Sequence, residues 1–237
     1  MIKERPILFS APMVKAVRDN FKTQTRRTSG LDRFNVDPDA WRLRSVESCG
    51  TKTNPFVAPT RKKGAVSVVA FDGDGGELGI AACPFGKPGD RLWVRENFRY
   101  FLTNVEEGVQ FKDGNLYNVE DMALNSDDEE QWGQWMRITA PPLGVYVDQY
   151  KGKWRPSIHM PRFASRILLE IVDIRVERLN AISDSDVWAE GVRGFGGKKK
   201  GYIFANLWES INGKGSWDLN PWVWAVEFKF VDAGVAL

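Results

Sequence analysis

The chain predicts an α+β fold that is mainly β: a small, bent barrel of antiparallel and mixed strands, decorated by short helices and interrupted by insertions. Three observations predict it. Apolar and polar residues alternate at 91–96, 167–178 and 222–230, the period of strands with one face buried. The middle run changes phase: Ile167, Leu169 and Ile171 share one face, Val172, Ile174 and Val176 the other. A bulge or sharp coil near Ile171 would bury both sets, and small barrels turn their corners that way. Finally, the helical runs do not alternate regularly with strands, which speaks against a doubly wound sheet.

The elements follow in order. Arg5 to Phe9 reads as a first strand. Ser10 before Ala11-Pro12 suits a helix start, with Met13, Val14, Ala16 and Val17 as the apolar face and Asp19-Asn20 as the end. Lys22-Thr23-Gln24-Thr25-Arg26-Arg27 reads as a turn leading into a strand. Residues 28–64 are irregular, Ala65 to Phe71 is a strand, and Asp72-Gly73-Asp74-Gly75-Gly76 a turn. Pro88-Gly89-Asp90 turns into the strand at 91–96. Residues 100–150 read as an insertion of short strands and loops. After the long strand, Ser183 with Asp186 forms a variant capping box for a helix that stops at Gly191. A glycine-lysine loop, 194–201, precedes a second helix from about Tyr202 to Ile211, with Phe204, Leu207, Trp208 and Ile211 as its apolar face. Pro221 opens the last strand, with Trp222, Trp224, Val226, Phe228 and Phe230 on one side.

Composition bounds the function. A chain of 237 residues, 43% hydrophobic and 27% charged, suits one large domain or a core domain with a big insertion. No apolar run reaches membrane-spanning length, so no membrane partner is expected. Cys49 and Cys83 make no disulfide framework, and a reducing cytoplasm is the expected location. Charge is segregated: residues 1–63 carry 14 Lys/Arg against 6 Asp/Glu, whereas residues 105–130 carry 1 Lys against 9 acids. The basic end suits nucleic acid, and the acidic segment is a solvated insertion or a cover for it.

The run from Lys22 to Arg27 holds three cations, two hydroxyls and no acid, which is costly to bury and suits an anionic or strongly polar ligand. The plainer reading is a solvated turn. Together with PGDRLWVRE, the Ser183–Gly191 helix and the closing WVWAVEFKF, it resembles the ASCH family, a branch of the PUA-like superfamily of small β-barrels. CPFGKPGDRLWVRE, WRPSIHMPRFASR and NPWVWAVEF look most like the larger phage and prophage members. The resemblance covers 5–30, 83–98 and 154–231. It implies a single domain over 1–237, with insertions at about 31–82 and 99–150.

Small bacterial ASCH proteins include amidohydrolases that remove acetyl from N-acetylated cytidine. Their Lys and Thr lie in a G-x-K-T-x-T-x-R turn and their Glu in the helix after the central strand. By that resemblance the catalytic set falls on Lys22, Thr25 and Glu190. Two departures are Asn20 in place of the glycine and Arg26 directly after Thr25. In such chemistry Thr25 attacks, Lys22 takes its proton once its pKa is depressed, and Glu190 serves the leaving amine. The chemistry also needs a turn, because positions 22 and 25 of a regular strand face opposite sides.

Arg26, Arg27, Arg155, His159, Arg162, Arg166, Lys198, Lys199 and Lys200 are the candidate ligand contacts, the three lysines through phosphate. His159, the only histidine, is more simply a structural hydrogen-bonder, and its spacing to Cys49 and Cys83 matches no zinc motif. No cofactor motif is present; the 194–201 loop lacks the order of a Walker A sequence. Three functions stay open: a module binding nucleic acid or a nucleotide and recognising a modified base, an amidohydrolase of N-acylated cytidine, and a phage accessory protein that binds a host protein.

Overall fold

A computed structural model describes residues 2–46, 67–71, 77–103, 107–118, 149–193 and 200–231. It is mainly β with few helices. Twelve described strands form three sheets. β1 (Glu4–Leu8), β2 (Gln24–Arg27), β6 (Arg91–Arg95), β11 (Leu168–Arg178) and β12 (Trp222–Val231) make a mixed sheet in the order β1-β6-β11-β12-β2. The three runs that alternate in sequence are thus neighbours in one sheet. Its outermost members are β1 and β2, and the described strands show no closed barrel. β3 (Arg42–Val46), β4 (Ser67–Phe71) and β5 (Glu77–Ala82) pair antiparallel, as do β10 (Gln149–Lys151), β7 (Phe98–Thr103), β8 (Glu107–Phe111) and β9 (Leu116–Asn118), in that order. Both small sheets fall in the expected insertions. The turn at 72–76 and the acidic stretch 119–130 lie outside the described residues.

The chain clusters into two compact units. The first, Met1–Arg5, Asp19–Arg91 and Glu170–Lys229, contains β2, most of β11 and β12, and two helices, α2 (Asp184–Ala189) and α3 (Lys200–Asn212). Val223, Trp224, Ala225 and Val226 are all fully buried, so mid-β12 is covered on both faces and not on the single face that alternation implies. Leu179, Val187, Phe204 and Trp208 pack with Val223 as one core cluster. The buried stripe of α3 is Phe204 and Trp208 alone; Leu207 and Ile211, expected beside them, are exposed. On β11 burial steps from Ile171 to Ile174 across exposed Val172 and Asp173. The phase change is real, but Val172 faces solvent and does not join a second buried set.

The second unit, Pro6–Arg18, Leu92–Leu169 and Phe230–Leu237, contains α1 (Ala11–Arg18) and the β7–β10 sheet. Val14 and Val17 are the buried face of α1. Phe98, Tyr100, Val109, Phe111, Tyr117, Met160, Phe163 and Ala164 form its core cluster. Gly108 sits opposite Asn118, and a Cβ there would lie 2.2 Å from the Tyr117 carbonyl oxygen and 3.0 Å from the Asn118 Cα. Both are backbone atoms, so β9 must move. Gly108→Ala is expected to cost about 1–3 kcal/mol, read as a lower urea midpoint; an unchanged midpoint would show that β9 yields freely.

Candidate functional site

Lys22 to Arg27 runs into a strand as expected, but the turn lies before it, at Asp19-Asn20, and not within it. Asn20, at φ 55°, takes the left-handed bend after α1, a conformation asparagine tolerates. The chain then extends: Thr23 N–H donates to the Ala189 carbonyl at 2.8 Å, Thr23 O accepts from Phe228 N–H at 2.8 Å, and Gln24–Arg27 pairs antiparallel with β12. Lys22 forms an isolated antiparallel bridge with Glu190. That bridge replaces the turn, because the end of α2 offers the backbone partners a free strand end lacks.

Glu190 is fixed by both ends of its helix. Ser183 Oγ accepts from Asp186 N–H at 3.1 Å while Asp186 Oδ2 accepts from Ser183 N–H at 3.2 Å, so the capping box is present. Gly191, at φ 82°, stops the helix. Its N–H donates to Trp188 O at 2.9 Å and Val192 N–H to Val187 O at 3.3 Å, the paired bonds of a Schellman motif with Glu190 as C-cap.

The cluster builds around that C-cap. Lys22 Nζ donates to Glu190 Oε2 at 2.6 Å and to the Glu190 carbonyl at 3.0 Å, where a cation meets the negative helix end. Arg26 Nη1 donates to Glu190 Oε1 at 3.1 Å and to Gln24 Oε1 at 2.7 Å; Nε donates to Glu177 Oε1 at 2.8 Å, and Nη2 lies 3.3 Å from Asp186 Oδ2. Arg175 ties Glu177, Asp186 and Glu227 together at 3.0, 2.8 and 2.7 Å, and Gln24 Nε2 donates to Glu227 at 2.8 Å. The strand register explains the neighbours: Gln24 faces Glu227 and Arg26 faces Ala225 across β2–β12. Lys22, Arg26 and Thr25 are at most 2% exposed and Glu190 7%, while Asp186 and Glu177 sit nearer the rim.

Burial pushes the Lys22 ammonium below its ordinary 10.5; Glu190 opposes the shift, and the Arg27 and Arg26 charges add to it. Burial likewise lowers the Arg27 guanidinium, again against Glu190. Thr25 lies on the other strand face, opposite Val226, and its hydroxyl accepts from Arg27 Nη1. Lys22, Arg26 and Glu190 therefore converge, but the Lys22 amine is committed to Glu190 and the Thr25 hydroxyl to Arg27.

The remaining expected contacts are scattered. Lys198 and Lys199 lie outside the described residues, and Lys200 begins α3. Arg155, His159, Arg162 and Arg166 belong to the second unit. Arg155 bridges Phe98 through its backbone, His159 is exposed on the 3-10 turn Ser157–His159, and Arg162 opens the turn Arg162–Ala164. Arg166 is buried and forks onto Glu96 at 3.0 and 2.8 Å and onto Asp113 at 2.7 Å, with its guanidinium carbon 4.0 Å over the Phe111 ring. Cys49 is outside the described residues. Burial first, against Phe85 and Gly86 N–H and the Arg5 charge, pushes the buried Cys83 thiol up to about 11. Among the described residues no group of three or more His, Cys, Asp or Glu is placed to hold a metal, and no helix is long and apolar enough to cross a membrane.

Sequence reasoning missed Gln24, Arg175, Glu177, Asp186 and Glu227 as members of the cluster. The i, i+2 spacing of Arg175 and Glu177 is a visible signal for a shared strand face; the Gln24–Glu227 contact depends on a pairing 203 residues apart. Comparison with known proteins adds no name to this arrangement: no family model matches the chain, and neither any curated protein nor any solved structure matches it.

Proposed function

We propose that the chain is a nucleic-acid- or nucleotide-binding protein of the ASCH type on a PUA-like, barrel-forming scaffold, and that the cluster around Lys22, Arg26 and Glu190 recognises a base, a modified one in particular. Charge balance is the observation that carries this reading. The cations Lys22, Arg26, Arg27 and Arg175 stand among the carboxylates Glu177, Asp186, Glu190 and Glu227. Such a set offers paired donors and acceptors with little net charge. It complements the edge of a neutral base better than it complements phosphate, which would need uncompensated cations. The basic residues of the N-terminal third supply the backbone attraction separately.

The lowered Lys22 pKa favours a second reading, amide hydrolysis on an N-acylated cytidine, since a lysine base must shed its proton near neutral pH. In that mechanism Lys22 accepts the Thr25 proton, the Thr25 oxygen bonds to the acyl carbon, the C–N bond breaks as Lys22 passes that proton to the departing amine beside Glu190, and a water then hydrolyses the acyl-Thr25 ester to release acetate. Thr25 lies on the opposite strand face with its hydroxyl on Arg27, so this mechanism requires the start of β2 to rearrange.

Calorimetric titration with cytidine, N-acetylcytidine, cytidine monophosphate and inorganic phosphate tests both. Expected are nucleoside binding, no competition by phosphate, and about tenfold weaker binding in Glu190→Gln, the usual scale for one charge-assisted hydrogen bond. Competition by phosphate alone would overturn base recognition. Acetate release by the wild type, rising as pH rises through the lowered Lys22 pKa and abolished in Thr25→Val and Lys22→Met, would establish the hydrolase; binding without release would leave a recognition site.

A further inference from the structure

Three residues that flank the cluster in sequence have no part in its ion pairs. Phe21 precedes Lys22, Trp188 lies two residues before Glu190, and Arg193 three after it. Phe21 is 48% exposed and Trp188 39%. The Arg193 guanidinium carbon lies 4.6 Å from the Phe21 ring centre and 4.4 Å from that of Trp188. Its other contact is a long one, 3.5 Å from Nη1 to the Trp188 carbonyl, and among the described residues no carboxylate pairs with it.

The arrangement follows from the backbone already described. The left-handed Asn20 and the Lys22–Glu190 bridge bring Phe21 to the end of α2, and the Schellman turn brings Arg193 back over Trp188. Large rings held half in water by a cation that no described carboxylate pairs are an unusual surface for a structural role. Burying the rings would stabilise the fold more, and an acid beside Arg193 would neutralise it. Both features suit a ligand that is flat, aromatic and attached to negative charge.

We propose that Phe21, Arg193 and Trp188 form a stacking platform for an unpaired nucleobase of a single-stranded nucleic acid. The inference rests on the base-recognition reading of the neighbouring cluster and assigns it a single-stranded polymer as ligand. The ring faces and the guanidinium plane stack on a base of any identity, and the Arg193 charge lies where the adjoining phosphate runs. Duplex bases are paired and stacked on one another, so a duplex presents no such face.

Fluorescence anisotropy with labelled strands of about 12 nucleotides tests this on the full chain. The probes are oligouridine RNA, oligothymidine DNA, an abasic strand of the same length and a duplex. Phe21→Ala and Trp188→Ala are each expected to weaken both base-carrying strands about tenfold while leaving the weaker abasic binding unchanged. Trp188→Phe restores affinity, and Arg193→Lys, which keeps the charge and loses the plane, does not. The uridine-to-thymidine ratio separates RNA from DNA. Equal losses on abasic and normal strands would overturn stacking, as would a duplex bound as tightly as a single strand. A change of oligomeric state without a change of strand affinity would assign the rings to a protein contact and overturn it also. No wild-type binding to any strand or nucleoside would sink the base-recognition reading itself; binding lost in Lys22→Met but indifferent to the rings would sink only the platform. Urea midpoints of the ring variants, expected to match the wild type because both rings are exposed, separate binding from folding.

Discussion

Glu190→Ala is expected to lower folding stability by about 3–5 kcal/mol near neutral pH, the cost of leaving a buried charge without its partner. The residue most affected is Lys22. Arg26 keeps Glu177 and Asp186, but the Lys22 ammonium is 1% exposed and loses its 2.6 Å carboxylate. The sign of the pH dependence follows from the direction of the Lys22 shift. Its folded pKa lies below 10.5, so between that lowered value and 10.5 the unfolded chain binds more protons. Stability therefore rises with pH across that window and is lost as pH falls through the folded pKa. Removing Glu190, which holds the value up, extends the window downward. The variant should recover part of its deficit as pH rises, where the wild type changes less. Urea midpoints across the window measure this, and adding Lys22→Met to Glu190→Ala should restore stability and flatten the slope. A deficit below about 1 kcal/mol would mean that water or a shifted Arg26 replaces the carboxylate, and that the pair is not the anchor of the site.

Much of the fold was legible because its signals are local. The capping box at Ser183 and Asp186 and the stop at Gly191 depend on residues within a single helix, and both appear where the sequence places them. β6, β11 and β12 were legible as strands from alternation, which reports a half-buried face wherever one exists but not which strands pair. Alternation fails where burial is two-sided, and that is the case in mid-β12, where α2 and α3 cover a face that would otherwise be polar. The turn expected at Lys22–Arg27 fails for a related reason. Three cations in six residues look too costly to bury only while their carboxylates are unseen, and these come from β11, α2 and β12, more than 145 residues away. Lys22 and Glu190 meet at the end of α2, whereas Thr25 faces away because β2 is a regular strand and three is an odd offset.

Arg166→Met is expected to cost a similar 3–5 kcal/mol near pH 8, within the second unit, and far less near pH 5. Arg166 forks onto Glu96 and reaches Asp113 from the same nitrogen, over the face of a fully buried Phe111. Its loss affects the two acids differently. Burial, outweighing the Arg166 hydrogen bonds and charge, already raises the Glu96 pKa above 4.5. A raised acid contributes stability that is complete below its unfolded pKa and lost as pH rises through the folded value. Without Arg166 that value climbs further, so the variant carries a buried, unpartnered carboxylate near pH 8 and a neutral acid near pH 5. Asp113 behaves in the opposite sense. Burial raises it, but Arg166 and the Asn115 backbone and side chain together hold it at about 2, and Arg18 at 3.0 Å remains when Arg166 is gone. Its contribution is present above 3.8 and lost as pH falls through about 2, below the range compared. The difference between the two pH values therefore reports Glu96. Glu96→Gln added to Arg166→Met should recover most of the loss near pH 8 and remove the pH dependence, since a neutral amide needs no counter-ion. Arg166→Lys should fall between, because a single ammonium cannot span Glu96 and Asp113 with the geometry of a fork. A deficit equal at both pH values would assign the cost to lost packing on Phe111 and not to the orphaned Glu96 carboxylate.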